Sequence, residues 1–355
     1  MRRRAFVHLI ASVLVSLAFA ASAFAAEGIQ VSGPIVHDNL AIYLVHGSGG
    51  GGAVPLTLQE ALAKGAVKVH ETGSVNELTV ENTGQDEVYV QAGDIVKGGQ
   101  QDRVLSVDLL LPPRSGEVSI AAFCVEHGRW TARGNEDAKQ FSSAGSAMPS
   151  HEAKVAMRAY AVTAASPAAD ASASTMAYAG GSGVGESQQE IWSTVRKTQD
   201  SLSRSVGALV AAPASPSSLQ LSLENDKLKQ AQTAYIAALQ GAGETGADVV
   251  GYVFAINGKI NSGDVYASNA LFRKMWSKLL AANVTEAISV KEAAGAAPPP
   301  VKDVEAFLAA ASSGVKAERA INASVRLTTF DGEASLYAET RRVDGSWVHR
   351  NYLAK

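Results

Sequence analysis

Two short segments of the chain concentrate the side chains that could bind a ligand or carry out a reaction. The first is AGDIVKGGQQDRV, Ala92 to Val104, which holds carboxylate, ammonium, guanidinium and amide groups around two glycines. It is not a phosphate loop, because Lys97 precedes the glycines and a strand pattern follows them. We predict a strand–loop–strand unit whose glycine amides and polar side chains converge on a small polar or anionic ligand. The alternative is a solvated hairpin whose charges pair with one another.

The second segment is AFCVEHGRW, Ala122 to Trp130. As a strand it places Cys124 and Glu126 on one face, and a carboxylate at the end of an apolar strand needs solvent or a neighbouring arginine. Cys124 near His127 offers the residue types of a thiol nucleophile and its base, although a small buried hydrophobic role is the other interpretation. The final tryptophan either stacks on a ligand or closes one end of the sheet.

No metal ion or other cofactor is predicted. The histidines at 37, 46, 70, 127, 151 and 349 follow no zinc-ligand spacing, and H-E-x-x-H does not occur. Nucleic acid is not an expected partner, since no basic run follows the amino terminus and acidic residues outnumber basic ones by 34 to 31. Cys124 is the single cysteine, so stability must come from packing rather than from an intrachain disulfide.

The amino terminus has the pattern of a secretory signal peptide over residues 1–25. Three arginines (Arg2, Arg3 and Arg4) precede an apolar stretch, and Ala23-Phe24-Ala25 is a small-x-small cleavage signal. An uncleaved anchor is the alternative. No later segment is apolar over a membrane-spanning length, so we expect a periplasmic or secreted protein without stable membrane insertion after cleavage.

The pattern predicts an α+β fold that begins with a β-rich half over residues 26–160. After an extended stretch, Gln30 to His46, comes a helix over 55–65 with a capping box at Thr57 and Glu60. Closely spaced strands follow and favour an antiparallel sandwich or partial barrel. They are predicted at 67–71, 77–81, 88–90, 95–96, 103–111 and 118–125.

An Ala/Ser/Gly-rich stretch over 161–185 is predicted to be a linker or exposed loop before a helix-rich half. Residues 186–290 are predicted to form a helix–hairpin–helix unit packed on the first half, with Ser187 capping its first helix and Asn257-Gly258 at the hairpin turn. Residues 291–300 form a second linker. Residues 301–355 complete the chain with a short helix and a β-meander.

Four segments resemble the ARG and rhodanese–phosphatase-superfamily-associated protein domain family. They are AGDIVKGGQQDRVL, LLPPRSGEV, AFCVEHGRW and SQQEIW, and the resemblance extends from about Ile29 to Ile288. The family is named for its association with ADP-ribosylglycohydrolases and rhodanese/phosphatase-type proteins and has no established activity, so the resemblance implies no catalytic residues. His127 stands where glutamine is more usual, which weakens a Cys–His mechanism. The chain retains the family's other typical residues: Asp94, Lys97, Gly98, Gln101, Arg103, Cys124, Glu126, Gly128, Arg129 and Trp130.

Three functions are open at this point, and we rank them in the order given. The first is an exported binding or accessory domain that holds a small polar or phosphorylated ligand between the 94–103 and 126–130 loops. The second is a structural or envelope interaction protein without a ligand. The third is a hydrolase that uses Asp94 with Glu126, or Cys124. The predicted ligand-binding residues are Asp94, Lys97, Gln101, Arg103, Glu126, Arg129 and Trp130.

Overall fold

The computed structural model describes residues 29–49, 52–131, 133, 140–163, 182–292 and 296–355. The predicted signal peptide, most of the predicted linker at 161–185 and three residues of the linker at 291–300 lie outside this range.

An eight-stranded antiparallel sheet unites strands from all three predicted segments. At its centre, β12 (Val249–Ile256) is buried along its whole length and pairs with β2 (Leu40–His46) on one side and β13 (Lys259–Tyr266) on the other. The other strands, in spatial order outward, are β1 (Gln30–His37) beyond β2, and β17 (Trp347–Ala354), β16 (Ser335–Arg342), β15 (Val325–Asp331) and β14 (Val315–Ala320) beyond β13.

The two dense polar segments lie in a second, six-stranded sheet. Its spatial order is β11 (Phe141–Ala147), β7 (Asp94–Gly98), β8 (Arg103–Leu105), β10 (Gly116–Cys124), β5 (Glu77–Asn82) and β4 (Val67–Glu71). A third, small sheet contains β3 (Leu56–Thr57), β6 (Val88–Val90) and β9 (Leu109–Leu111), and its β3–β6 pair is parallel.

Helices cover and connect the sheets. The largest buried helical surface belongs to α6 (Asn269–Ser289), which packs against β11 and β12 and therefore lies between the two larger sheets. The other helices are α1 (Leu58–Ala63), α2 (His151–Thr163), α3 (Ser182–Val206), α4 (Leu219–Leu223), α5 (Asp226–Leu239) and α7 (Val301–Ala310). Among the described residues, no helix is both long and apolar enough to span a lipid bilayer.

The predicted α+β class is confirmed, and so are several local signals. The Thr57 side chain accepts the Glu60 amide and Glu60 caps Thr57 in return, as a capping box requires. Asn257-Gly258 joins β12 to β13, with both residues at positive φ.

The predicted extended stretch 30–46 is a hairpin of two strands, with Asp38 at a left-handed φ of 54° in the turn between them. Other local expectations were wrong for identifiable reasons. The predicted strand 103–111 breaks between β8 and β9, where Asp108 turns inward to bind other buried groups. Ser187 lies inside α3 rather than at its start. Five elements, β3, β11, β14, α2 and α4, were not predicted.

Gln188, one residue after Ser187, fastens α3 to the polar sheet. Its amide oxygen accepts the Cys124 N–H at 2.9 Å, and its amide nitrogen donates to the Cys124 carbonyl at 2.9 Å. The side chain thus imitates a neighbouring strand at the point where β5 no longer accompanies β10. This contact holds the second dense segment in place from outside the sheet.

We predict that Gln188→Leu lowers the free energy of unfolding by about 2–4 kcal/mol, because it leaves a buried N–H and a buried carbonyl without partners. Chemical denaturation measures the change. The matched control is Gln189→Leu at the exposed neighbouring position, where a change within about 0.5 kcal/mol is expected. Equal effects of the two substitutions would contradict a stabilising role for the contact between the Gln188 side chain and the Cys124 backbone.

Candidate functional site

The two dense polar segments are in direct contact. Strand β8 lies between β7 and β10, so Arg103 is paired with Val96 on one side and with Cys124 on the other. Beyond the end of β10, the Asp102 N–H donates to Glu126 Oε2 at 3.1 Å, and the Gln101 side chain donates to the Glu126 carbonyl at 3.2 Å. One enclosed site therefore receives side chains from both segments.

The glycine turn does not present free amides to a ligand, contrary to our expectation. Gly98 and Gly99 have φ values of 117° and 55°, and a Cβ on either would come within 2.5 Å of neighbouring atoms, so only glycine fits. The amide N–H groups already have internal acceptors: Gly98 donates to Asp102 Oδ1, Gly99 to the Gln140 carbonyl and Gln100 to Glu71 Oε1.

Four charged side chains lock the segments together. Arg133 NH1 lies 3.0 Å from Asp102 Oδ2 and 3.2 Å from Glu126 Oε1, and Arg129 NH2 lies 2.7 Å from Glu126 Oε2. Arg129 also donates to the carbonyls of Gly98 and Gly99, which fixes the turn. The two guanidinium groups balance the two carboxylates, so this cluster neutralises itself.

The environments of the two carboxyl groups differ. Burial raises the pKa of Asp102 above its ordinary value, against the hydrogen bond from Arg133 and with a further contribution from the Glu126 charge. Burial by itself would raise the pKa of Glu126 as well. The hydrogen bonds that Glu126 accepts, first of all from Arg129, and the charge of Arg129 outweigh burial and lower that pKa. Of the two carboxyl groups, Asp102 is therefore the more readily protonated.

Arg103 is the exception in this otherwise balanced site. Its side chain is 0% exposed, yet Nε, NH1 and NH2 have no hydrogen-bond acceptor among the described residues. The one carboxylate within ion-pair distance in the described structure is Glu71, with Oε2 at 3.5 Å from NH2. A buried guanidinium that donates no hydrogen bonds is costly, so an acceptor group is expected beside it.

Cys124 and Trp192 adjoin Arg103. Burial raises the pKa of the Cys124 thiol, whereas the charge of Arg103, its partner residue on β8, and an interaction with Trp192 oppose the rise. The thiol donates to the Glu126 carbonyl at 2.8 Å. Trp192 Nε1 has no hydrogen-bond acceptor among the described residues and lies on the side of the Cys124 thiol, with which it interacts.

Cys124 does not have the environment of a nucleophile–base pair. The neutral thiol is favoured, and the His127 ring packs edge-on against Trp192, with 4.4 Å between ring centroids. Activation of a cysteine needs the reverse, a pKa lowered by a nearby base or cation.

The other predicted residues lie apart from Arg103. Asp94 forms a buried ion pair with Lys278 of α6 at 2.5 Å and accepts the Gln91 N–H. Lys97 pairs with Glu224 at 2.8 Å near the surface. Trp130 is 46% exposed. Of the seven predicted residues, Gln101 and Arg129 contact Glu126, and Arg103 is connected to them through its strand partner Cys124. Asp94, Lys97 and Trp130 each have other surroundings.

A second buried polar network escaped sequence reasoning. His349 of β17 lies between two carboxylates, with Nδ1 2.8 Å from Asp108 Oδ2 and Nε2 3.0 Å from Asp264 Oδ1. Tyr89, Thr340 and the Ala92 N–H also donate to Asp108. The signal for this network is a lone charge inside an apolar strand, as in SVDLLL, because such a residue must find a partner.

The network is strongly ionised. Burial alone would lower the pKa of His349, but the two carboxylates outweigh it and raise that pKa to about 9. Burial likewise opposes ionisation of Asp108, yet the charge and hydrogen bond of His349 lower its pKa to about 2. His349 is therefore a cation at neutral pH, shared by two carboxylates.

The described residues contain no group of three or more His, Cys, Asp or Glu side chains arranged to hold a metal ion.

The chain matches a known protein family. The model of that family aligns with residues 28–353, which is nearly the whole chain. The chain belongs to the ARG and Rhodanese-Phosphatase-superfamily-associated Protein domain family. The predicted membership is confirmed, and the ARPP-1 domain extends beyond the expected limit at Ile288 because it includes the C-terminal meander, whose strands complete the eight-stranded sheet. The chain has no match among curated proteins or among solved structures.

We predict that the contribution of His349 to stability is fully present below about pH 6.5 and is lost as the pH rises towards 9, because its pKa is higher in the folded than in the unfolded protein. The shift corresponds to about 3 kcal/mol. Unfolding free energies of the wild type and His349→Gln, measured from pH 6 to 9.5, should converge. The wild type and His127→Gln, at an exposed position, should stay parallel, and parallel curves for His349→Gln would refute the assignment.

Proposed function

We propose that this ARPP-1 protein is an exported binding or accessory domain that holds a small polar or anionic ligand at Arg103, where the 94–103 and 126–130 segments meet. The observation that carries the proposal is the fully buried Arg103 guanidinium, which has no hydrogen-bond acceptor among the described residues.

The distribution of charge supports Arg103 rather than the other predicted cations. Lys97 is paired with Glu224, and Arg129 is committed to Glu126 and to the glycine turn. Arg103 has only Glu71, at 3.5 Å. It therefore keeps a planar set of donors for a ligand, and a guanidinium fork matches a carboxylate or phosphate group.

The neighbouring groups define the chemistry of the ligand. Trp192 Nε1 offers a further donor, and Gln101 Oε1 is a buried acceptor without a partner in the described structure. The ligand would thus present oxygen acceptors to Arg103 and a hydroxyl or amide donor to Gln101. A sugar-phosphate-like molecule has both, and the family's association with ADP-ribose enzymes agrees with this choice by analogy.

The competing function is a structural or envelope protein without a ligand. The observation in its favour is the closed Asp102–Glu126–Arg129–Arg133 cluster, which binds the two segments to each other and needs no further partner. The two functions differ in what they require of Arg103. Only a binding domain loses a measurable property when the guanidinium is removed and the fold is kept.

We predict that ribose 5-phosphate or inorganic phosphate raises the melting temperature of the mature wild-type protein and that removal of Arg103 abolishes this rise. The test variant is Glu71→Gln/Arg103→Met, which removes both charges of the pair and keeps an acceptor for the Gln100 N–H. A ligand at a hundredfold excess over its Kd adds about 2.7 kcal/mol of stability.

The matched control is Lys97→Met, which removes a neighbouring predicted cation that already has a carboxylate partner; it should keep the full response. A response that persists in the double variant, or that is absent from the wild type with both probes, would favour the structural function instead.

Export is proposed from the leader alone, with its arginines, apolar stretch and Ala23-Phe24-Ala25 signal. We predict that the protein recovered from the periplasm of a Gram-negative expression host begins close after Ala25. Intact-mass measurement locates the new amino terminus. Replacing the small residues at 23 and 25 with bulky ones, as in Ala23→Leu/Ala25→Leu, should leave the precursor uncleaved. A full-length chain in the wild type would contradict export by this route.

A further inference from the structure

A cavity of about 40 Å³ lies at the junction of α2, α6 and the eight-stranded sheet. Arg158 of α2, Asn283 of α6, and Tyr252, Asp264 and Asn351 of the sheet are among its lining residues. Arg103, Gln101, Cys124 and Trp192 do not line it. It is therefore distinct from the site proposed above, and it adjoins the His349 network through Asp264.

Arg158 brings to this cavity a guanidinium that has no direct carboxylate contact. Its side chain is buried, and its one hydrogen bond in the described structure is from NH2 to Asn351 Oδ1 at 3.0 Å. No carboxylate of a described residue lies within ion-pair distance of it, and burial lowers its pKa. The nearby carboxylates of Asp108 and Asp264 are both bonded to His349 instead.

Asn283 supplies a second uncommitted donor. It is 1% exposed, lines the cavity, and its Nδ2 has no acceptor among the described residues. Asp264 is by contrast well supplied, because His349, Asn351 and Tyr252 all donate to its carboxylate. The hydrogen-bonding group left without a partner at the cavity is therefore a donor, whereas the Asp264 carboxylate is already supplied.

The remaining charges around the cavity are already paired. Lys154 lines it but lies 3.2 Å from Glu286, and Lys278 on α6 is engaged by Asp94 at 2.5 Å. Arg158 is thus the cation in this part of the described structure that has no direct carboxylate partner.

We propose that the cavity binds the carboxylate of a small organic acid, with Arg158 and Asn283 donating to its oxygens. A cavity needs about 10–15 Å³ to hold one water molecule, so a cavity of about 40 Å³ accommodates about three or four heavy atoms. That size fits acetate or formate and is too small for a sugar phosphate. The planar guanidinium matches a carboxylate with two parallel hydrogen bonds.

Ligand-observed NMR of acetate with the mature wild-type protein, at constant ionic strength set by chloride, tests the proposal. We expect saturation transfer to the acetate methyl group that formate displaces and ribose 5-phosphate does not. Asn283→Leu keeps the branching and the number of side-chain heavy atoms, removes the Nδ2 donor and should weaken acetate binding about tenfold or more. Arg158→Met should weaken it at least as much.

The matched control is Arg326→Met, which removes an exposed arginine from the eight-stranded sheet and should leave acetate binding unchanged. Circular dichroism of Asn283→Leu verifies that the fold is kept, so that lost binding can be ascribed to the cavity. No transfer to acetate in the wild type, equal binding in Asn283→Leu, or an equal loss in Arg326→Met would each overturn the proposal. Displacement of acetate by ribose 5-phosphate would assign the signal to the Arg103 site instead.

Discussion

The compensation of buried charge is the constraint on which this structure depends. Asp102 and Glu126 are 0% exposed, and isolated carboxylates at such a depth would cost far more than the stability of a domain. Arg129 and Arg133 make their burial possible, and both arginines come from the segment that follows β10. The position of that segment, the shape of the glycine turn and the enclosure of Arg103 all follow from this balance. Loss of either arginine alone would leave a buried carboxylate without its counter-ion.

Against that balance, Arg103 and Arg158 stand out for the same physical reason. Each is buried, and neither has a hydrogen-bonded carboxylate partner of the kind that Arg129 and Arg133 have. They occupy different surroundings: Arg103 has an indole and a thiol beside it, whereas Arg158 faces a small cavity next to an ionised histidine. The two proposals therefore differ in their ligands, a molecule with a phosphate-like group for one site and a short organic acid for the other.

Local signals in the sequence predicted the elements better than they predicted the site. The capping box, the Asn-Gly hairpin and the α+β class follow from short-range chemistry, and the structure confirms them. Composition also pointed to both dense segments. It could not assign Asp94 to Lys278, 184 residues away, because that pairing depends on how α6 packs against the sheets. Asp108 and His349, 241 residues apart, were missed for the same reason, because they meet only when distant parts of the chain pack together.

The Gln188 contact has a consequence for the behaviour of the protein towards other chains. Where β5 ends, the backbone of β10 would present an open N–H and carbonyl, which is the feature that recruits a strand from another molecule. A side-chain amide from a helix occupies those groups in both directions. The helix thus seals this part of the sheet against strand addition and domain exchange without lengthening the sheet. If α3 detached, the backbone N–H and carbonyl of Cys124 would become available to pair with a strand of another chain.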